Sequence, residues 1–426
     1  MHNHYTKCGH WDWKGMRMGI GQNESLWLKG LLRKYYAAHL VVPPYDVSKR
    51  EFGFGNIKKI DSRHVGFESV QEMNQYLRNN LPLYFSGSIS EYAFPSAQPM
   101  EKKQWLGSDL IYEFDADDLQ TDCKQTHDSW KCTHCGAQGK GHLLKCTSCG
   151  KGVDLDEWTC DVCLHATKEK TKQLIKILQD DFQLNGLHVN FSGSKGFHVH
   201  VRQKEIFSLQ KHARIELMDY LSLHELDWPS LGFVFDGKQF RCPHFAQAKG
   251  NAQRVMQEIL RLVEVGTEEE WFILTGMPMR ALKSFLENRQ RMYNELQHGT
   301  LPAVPGKSTK TELFWNGILS SIAERLRLPI DRSTSGDIYK LLRVPDTVHG
   351  STGFVAKSLS LETWEQFDPF SDAIAFSGEK ERKIFVHQAP RIRIGSEILE
   401  PMQEKELVAS APVAAFLVGW GAAEIR

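Results

Sequence analysis

The sequence predicts a mixed α/β fold, of the α+β kind, in which one α/β core carries two insertions. Three observations lead to this reading. Residues 109–117 (DLIYEFDAD), 187–192 and 197–202 alternate apolar and polar side chains with the period of two that a half-buried strand requires. Residues 251–298 and 311–327 carry apolar residues at helical spacing. Between the first strand and the rest, residues 118–165 hold seven of the nine cysteines.

Composition bounds the classes. At roughly 150 residues per domain, 426 residues imply two or three domains. Apolar residues at 41% and charged residues at 24% are ordinary globular values. Lys plus Arg number 52 and Asp plus Glu number 52, so a generally cationic nucleic-acid binder is excluded while a local basic groove is not. The longest apolar run, Ala411 to Ala423, is too short for a bilayer and contains Pro412, so no membrane segment is expected. The first residues (MHNHYTKCGHWDWKG) lack the apolar stretch of a signal peptide. The expected location is therefore cytoplasmic, where clustered cysteine pairs mean metal more often than disulfide.

Residues 1–24 are polar and rich in Gly and His. His2, His4, Cys8 and His10 offer ligand types, but the segment is read as a flexible tail. A helix is expected from Ser25 to Leu40, with Leu28, Leu31, Leu32, Tyr35 and Tyr36 on one face and Pro43 and Pro44 behind it. The block Arg50-Glu51-Phe52-Gly53-Phe54 follows, then strands at Asp61 to Phe67 and Leu83 to Ser86. Within 109–117, Leu110, Tyr112, Phe114 and Ala116 point one way, and Ile111, Glu113, Asp115 and Asp117 the other. Thr167 to Phe182 reads as a helix burying Leu174, Ile177, Leu178 and Phe182. The later helices rest on Val255, Ile259 and Leu262, and on Leu313, Ile318, Ile322 and Leu326, with a Gly/Pro/Ser linker at 299–308 between them. Mixed strands are expected after Pro329, and Pro412 to Trp420 as a buried helix. The core thus comprises 25–117 and 166–245, the cysteine insertion 118–165, the helical subdomain 246–328, and the returning segment 329–426.

Three Cys-x-x-Cys pairs recur with a period of 14: Cys132/Cys135, Cys146/Cys149 and Cys160/Cys163. Each is half of a tetrahedral zinc site. Gly136 and Gly150 follow the first two pairs, as a tight zinc-binding turn prefers, whereas Leu164 follows the third. Cys132, Cys135, Cys146 and Cys149 are therefore paired as one ribbon. Cys160 and Cys163 then need two more ligands, which Cys123 and His127 can supply as a stem site. His134, His142 and His165 lie nearby and leave the partition open. Residues 118–170 hold seven Lys/Arg against eight Asp/Glu, a poor electrostatic case for strong DNA binding, so both sites are read as structural.

Asp115 and Asp117, alternating on one strand face, suit Mg²⁺ or Mn²⁺. An Asp-rich strand end capping a turn is the plainer reading of the same residues. Ser192-Gly193-Ser194-Lys195-Gly196-Phe197-His198 is more specific: two glycines let backbone N–H groups converge on an anion, with Ser192, Lys195 and His198 flanking. An ordinary hairpin with exposed histidines is the alternative. Asp331 could complete a carboxylate triad, and Arg343 and His349 could pair with phosphate; each alone also reads as a cap, a surface charge or a turn residue.

In order, these blocks resemble the catalytic small subunit of archaeal and eukaryotic DNA primase, from about Leu26 to the C-terminus. The resemblance is carried by Arg50 to Phe54, Asp115-x-Asp117, Cys160-x-x-Cys163-Leu164, Phe191-Ser192-Gly193, Gly196-Phe197-His198, Leu342-Arg343-Val344-Pro345 and His349-Gly350. It implies a primase-type core with a zinc-bearing insertion and a helical subdomain. Asp115, Asp117 and Asp331 match the family's metal-binding carboxylates. Ser192, Lys195, His198, Arg343 and His349 fall where the family holds the triphosphate, with Glu51 and Arg63 near that site. Cys123, His127, Cys160 and Cys163 resemble its stem zinc; the ribbon is an added second zinc.

The implied activity is nucleotidyl transfer from NTP or dNTP to make short primers on single-stranded DNA, with catalytic Mg²⁺ or Mn²⁺, two structural Zn²⁺ and a large-subunit partner in a heterodimer. The rival readings are a related polymerase acting in repair and an inactive zinc-ribbon scaffold. Three positions depart from the family pattern: Ser194 where the turn often has a second basic residue, Ser351 where Lys is common, and Trp420 in place of a tail Arg. Each lost charged contact is expected to cost about 1.5–3 kcal/mol of triphosphate binding where nothing compensates.

Overall fold

The computed structural model describes residues 20–56, 60–224, 226–304, 308–330 and 336–426. It divides into two compact units. The first comprises Met1–Lys172, Asn185–Lys211 and Ser333–Arg426; the second comprises Gln173–Leu184 and His212–Arg332, within which the expected helical subdomain 246–328 falls. The tail residues His2, His4, Cys8 and His10 lie outside the described residues.

Two sheets of the first unit carry the candidate site. One contains β1 (Arg50–Gly55), β2 (Ser62–Val65), β3 (Tyr84–Tyr92) and β4 (Trp105–Ser108), together with the Leu341–Arg343 strand. β3 lies at its centre, bonded antiparallel to β1, to β4 and to Leu341–Arg343, which returns from near the end of the chain. The other sheet orders Lys357–Leu359, Leu187–Phe191, Gly196–Val201 and β5 (Leu110–Asp115). Ile89, Ile111 and Leu342 form a buried cluster drawing on both sheets. A polar tie joins them as well. Asp109 is buried and accepts from Arg50 Nη2 at 3.2 Å and Arg202 Nε at 2.7 Å.

Local expectations meet tertiary corrections at several points. Helix α1 spans Gln22–Ala38, and its five expected residues are all buried. It starts three residues before Ser25 and ends two before Leu40. The 83–86 strand belongs to the longer β3. β5 stops at Asp115, and Asp117 lies in a 3-10 turn, Ala116–Asp118, rather than on the strand face. The helix expected from Thr167 begins earlier, as Asp161–Phe182, because the third cysteine pair opens a helix instead of a knuckle turn. Phe182 is only half-buried. In the second unit, Val255, Ile259 and Leu262 enter the core. Leu313, however, is 73% exposed, and Trp315 takes the buried place with Ile318, Leu319 and Ile322. The step from 313 to 318 is five residues, off the helical period. Leu326 is partly buried against that core. Ala411–Trp420 is a helix whose residues, Pro412 aside, are all buried. Among the described residues no helix is long and apolar enough to cross a membrane.

Candidate active site and metal centres

The strand pairing assembles the site. Gly196–Val201 runs antiparallel to β5 with Gly196 opposite Asp115 and His198 opposite Glu113. Gly196 has no alternative here: a Cβ would stand 1.9 Å from the Phe114 carbonyl oxygen and 2.7 Å from Asp115 Oδ1. The Ser192–Gly196 turn therefore lies directly against the carboxylates. Ala116 N donates to Lys195 O at 3.0 Å, closing the turn onto the end of β5. Gly193, at φ +81°, sits where a Cβ would come within 3.0 Å of His349 Cβ. The turn's N–H groups do converge, but on Ser192 itself: Ser194 N and Gly196 N both donate to Ser192 Oγ at 3.2 Å. That leaves the Ser192 hydroxyl proton free to donate outward.

Asp115 and Asp117 are half-buried. Burial, with Glu113 and Asp117 beside it, pushes the Asp115 carboxyl up to about 7. Asp117 Oδ2 pairs with the Lys195 ammonium. Asp117 Oδ1 is buried and finds no hydrogen-bond partner among the described residues. An orphaned carboxylate oxygen beside a carboxyl held up by like charge fits a divalent cation, whose charge relieves both conditions. Asp331 lies outside the described residues, so the structure places two of the three expected carboxylates.

Cationic and aromatic groups surround the pair. Arg343 stacks its guanidinium 5.0 Å from the Tyr84 ring centre and donates to Leu83 O at 3.5 Å. His349 meets the same ring edge-on at 5.5 Å. Burial, with Arg343 and Lys195 nearby, holds the His349 imidazole well below its ordinary range, and burial brings Arg343 down to about 10. An anion would favour the charged form of both. Ser351 bonds the Tyr84 hydroxyl. Trp420 lies under Lys195, 5.9 Å from its Nζ to the ring centre, and packs on Trp158 at 5.3 Å and Phe416 at 5.5 Å.

Sequence reasoning missed Glu113 and Lys340. Glu113 Oε1 lies 3.5 Å from His198 Nε2, and its other oxygen pairs with Lys340. The alternation of 109–117 put Glu113 on the correct face; nothing local marked Lys340. Glu51 and Arg63 pair with each other. Glu51 is fully buried and receives Arg63 Nε at 3.0 Å and His64 N at 3.2 Å, while Arg63 Nη2 donates to Tyr339 O at 2.9 Å. Glu51 thus holds Arg63 on the segment leading into Lys340 and Arg343.

Among the described residues, two groups of four side chains and one of three (Asp128, His142 and Glu157) could each hold a metal ion; the two of four are the cysteine groups. Cys123, His127, Cys160 and Cys163 have ligand atoms all within 4.8 Å of one another, as do Cys132, Cys135, Cys146 and Cys149. Neither cysteine group includes His134, His142 or His165. Gly136 and Gly150 adopt φ +76° and +70°, and their N–H groups return to Cys132 O and Cys146 O at 3.0 and 2.9 Å. Those conformations close the two ribbon knuckles. The three-stranded ribbon has its own small core on Trp130, Cys132 and Cys146. In the stem, His127 Nε2 faces Cys163 Sγ at 3.2 Å, and its Nδ1 meets Asp128 Oδ1 at 2.7 Å. A carboxylate behind a histidine ligand fixes its tautomer and ring orientation.

Together, the fold and site set an acidic pair, one of whose carboxylate oxygens has no partner among the described residues, against a Ser-Gly-x-x-Gly turn whose Lys195 pairs with it, beside two cysteine groups that could each hold a metal ion. A family model described as the DNA primase small subunit matches residues 153–361. The chain is 27% identical over 423 residues to the DNA primase small subunit PriS of Methanothrix thermoacetophila, covering 94% of this chain and 98% of that protein. It is 27% identical over 359 residues to PriS of Archaeoglobus fulgidus, covering 83% and 85%, and 25% identical over 409 residues to PriS of Cenarchaeum symbiosum, covering 94% and 99%. Over most of its length the chain is thus similar to DNA primase small subunits of archaeal type.

Proposed function

We propose that this chain is the catalytic subunit of a DNA primase, a DNA-directed nucleotidyltransferase that makes short primers on single-stranded DNA for replication. The observation that carries the reading is the buried, unpartnered Asp117 Oδ1 beside Asp115, set directly against the Ser-Gly-x-x-Gly turn. Asp115 and Asp117, with Asp331, are the side chains that would hold Mg²⁺ or Mn²⁺. When bound, the cation lowers the pKa of the attacking 3′-hydroxyl and stabilises the departing pyrophosphate.

The chain's own groups do the rest. Lys195 reaches the carboxylates from the turn, where its ammonium pairs with Asp117, and would be able to donate to a phosphate oxygen. Ser192 Oγ donates its free proton, with its orientation fixed by two backbone N–H groups. Arg343 and His349, both braced on Tyr84, neutralise triphosphate oxygens from the other side. His198, held by Glu113, is a further donor. Trp420 places an aromatic face under Lys195 where the family commonly has Arg, and restricts that lysine's range. The Cys/His groups hold two structural Zn²⁺. A large subunit completes a heterodimer, the substrates are NTP or dNTP with template and primer, and the location is cytoplasmic with the chromosome.

The test is label incorporation on a primer-free single-stranded template, with Mg²⁺ or Mn²⁺ and both NTPs and dNTPs. The wild type is expected to yield product and an Asp115→Ala/Asp117→Ala variant none. Persistent absence of product from zinc-loaded wild type, with the large subunit added, overturns the reading.

A further inference from the structure

We propose that Lys124 is a positioning residue that ties the metal-binding stem to the catalytic carboxylate Asp117, so that the stem sets the geometry of the divalent-cation site. The helix Lys124–His127 is a single turn inside the stem. Cys123 on one side of it and His127 at its end both aim at Cys163. Lys124 turns away from the metal group. Its side chain is 2% exposed, and its Nζ donates to the Asp117 backbone carbonyl at 2.9 Å. The same ammonium faces Glu157 Oε1 at 3.5 Å, three residues before the ligand Cys160. One buried charge therefore links both limbs of the stem to the turn that carries Asp117.

Three features make this a positioning device. First, burying an ammonium is unfavourable unless its partners are well placed, and an apolar side chain would fill the space without that cost. Second, the contact falls on the Ala116–Asp118 turn, where the Asp117 carboxylate also pairs with Lys195. The turn's first amide is held by Lys195 O, and Leu119 N returns to Ala116 O at 3.3 Å. The Lys124 contact holds the carbonyl of the residue whose Oδ1 is left for the cation. Third, the stem end of the link is itself rigid. Asp128 is buried and accepts at once from Trp158 N at 2.9 Å and meets His127 Nδ1 at 2.7 Å and His142 Nδ1 at 2.9 Å. His142 belongs to the ribbon side of the insertion, so a single carboxylate fastens ribbon, stem and the segment leading to Cys160. A small rotation of the Asp117 backbone is magnified at the carboxylate, and cation sites of this kind demand near-ideal geometry.

The inference rests on the reading of Asp117 as a cation ligand. Its test uses the full-length zinc-loaded chain and two readouts besides zinc content and thermal midpoint. Mn²⁺ affinity is measured by electron paramagnetic resonance titration without nucleotide or DNA. Label incorporation on a primed template is then analysed for kcat and for the KM of the nucleotide. Lys124→Met is expected to keep both zinc ions, raise the Mn²⁺ dissociation constant about tenfold and lower kcat with little change in KM. Lys124→Arg is expected to restore affinity to within about threefold of wild type. Lys124→Gln, which keeps a donor without the charge, serves if the Met variant does not fold, and is expected to weaken Mn²⁺ binding about threefold. Unchanged Mn²⁺ affinity and kcat in a folded, zinc-loaded Met or Gln variant overturns the link. Wild-type Mn²⁺ binding that Asp117→Ala does not weaken overturns the cation reading beneath it.

Discussion

Gly196→Ala perturbs the closest approach in the site without touching a charged group. The added Cβ would lie 1.9 Å from Phe114 O, and both atoms belong to or sit on backbone, so no side-chain rotation relieves the contact. The turn and β5 must separate there by at least about 1 Å to reach ordinary packing distances. That separation strains three hydrogen bonds: Ser192 N to Gly196 O at 2.9 Å, Gly196 N to Ser192 Oγ at 3.2 Å, and Ala116 N to Lys195 O at 3.0 Å. At about 1 kcal/mol each, the expected loss of stability is about 2–3 kcal/mol. The functional loss is larger, because the same shift carries Lys195 and the Ser192 hydroxyl away from Asp117; a misplacement of about 1 Å commonly costs about 100-fold in rate. Urea denaturation and label incorporation on a primed template measure the two effects. Gly30→Ala is the control. It lies inside α1, its Cβ would meet nothing within 4 Å, and it is expected to be neutral or stabilising by up to about 1 kcal/mol. Wild-type stability and incorporation within threefold in Gly196→Ala would refute the claim that the turn is pressed onto the carboxylates.

Three further outcomes follow from the same structure. Cys163→Ser removes the sulfur that faces Cys123, His127 and Cys160, and is expected to halve the zinc content and abolish incorporation. Cys146→Ser also halves the zinc content, but the ribbon has its own core, so incorporation on a primed template persists; elemental analysis with the incorporation assay checks both. Acid stability reports on His200. Burial holds its imidazole down at about 3, with Asp109 opposing and Arg202 and His198 adding to the effect. The folded chain therefore binds fewer protons than the unfolded chain between about 3 and 6.5. The stability is fully present above about 6.5 and falls by about 1.4 kcal/mol per pH unit below it. His200→Gln lacks this titration, so its unfolding free energy is expected to drop about 2 kcal/mol less than wild type between pH 6.5 and 5. Parallel urea curves at the two pH values decide it.

Much of this architecture was legible locally. The buried face of α1, the apolar C-terminal helix and the two strands flanking Ser192–Gly196 all follow from periodicity, which depends only on neighbours three, four or two residues apart. The grouping of cysteines was legible for a related reason. A knuckle needs a residue at positive φ immediately after the pair, Gly136 and Gly150 supply it, and Leu164 instead continues into a helix. The boundary errors have equally local causes: Asp117 falls one residue into a 3-10 turn, and Leu313 breaks helical spacing.

What the order of residues by itself determined was the inventory: which side chains carry charge, which can bind metal, and which segments must turn. What only the tertiary structure decided was the pairing among them. Glu51 proved to be a buried anchor for Arg63, Glu113 and Lys340 met across the gap between the sheets, and Lys124 reached the carbonyl of Asp117. Glu113 and Lys340 are 227 residues apart, and Lys195 and Asp117 are 78 apart. Periodicity carries no information at such separations. Those contacts are set by sheet register, in which a shift of one residue would turn His198 and Asp115 to opposite faces, and register is selected by the burial of the whole core.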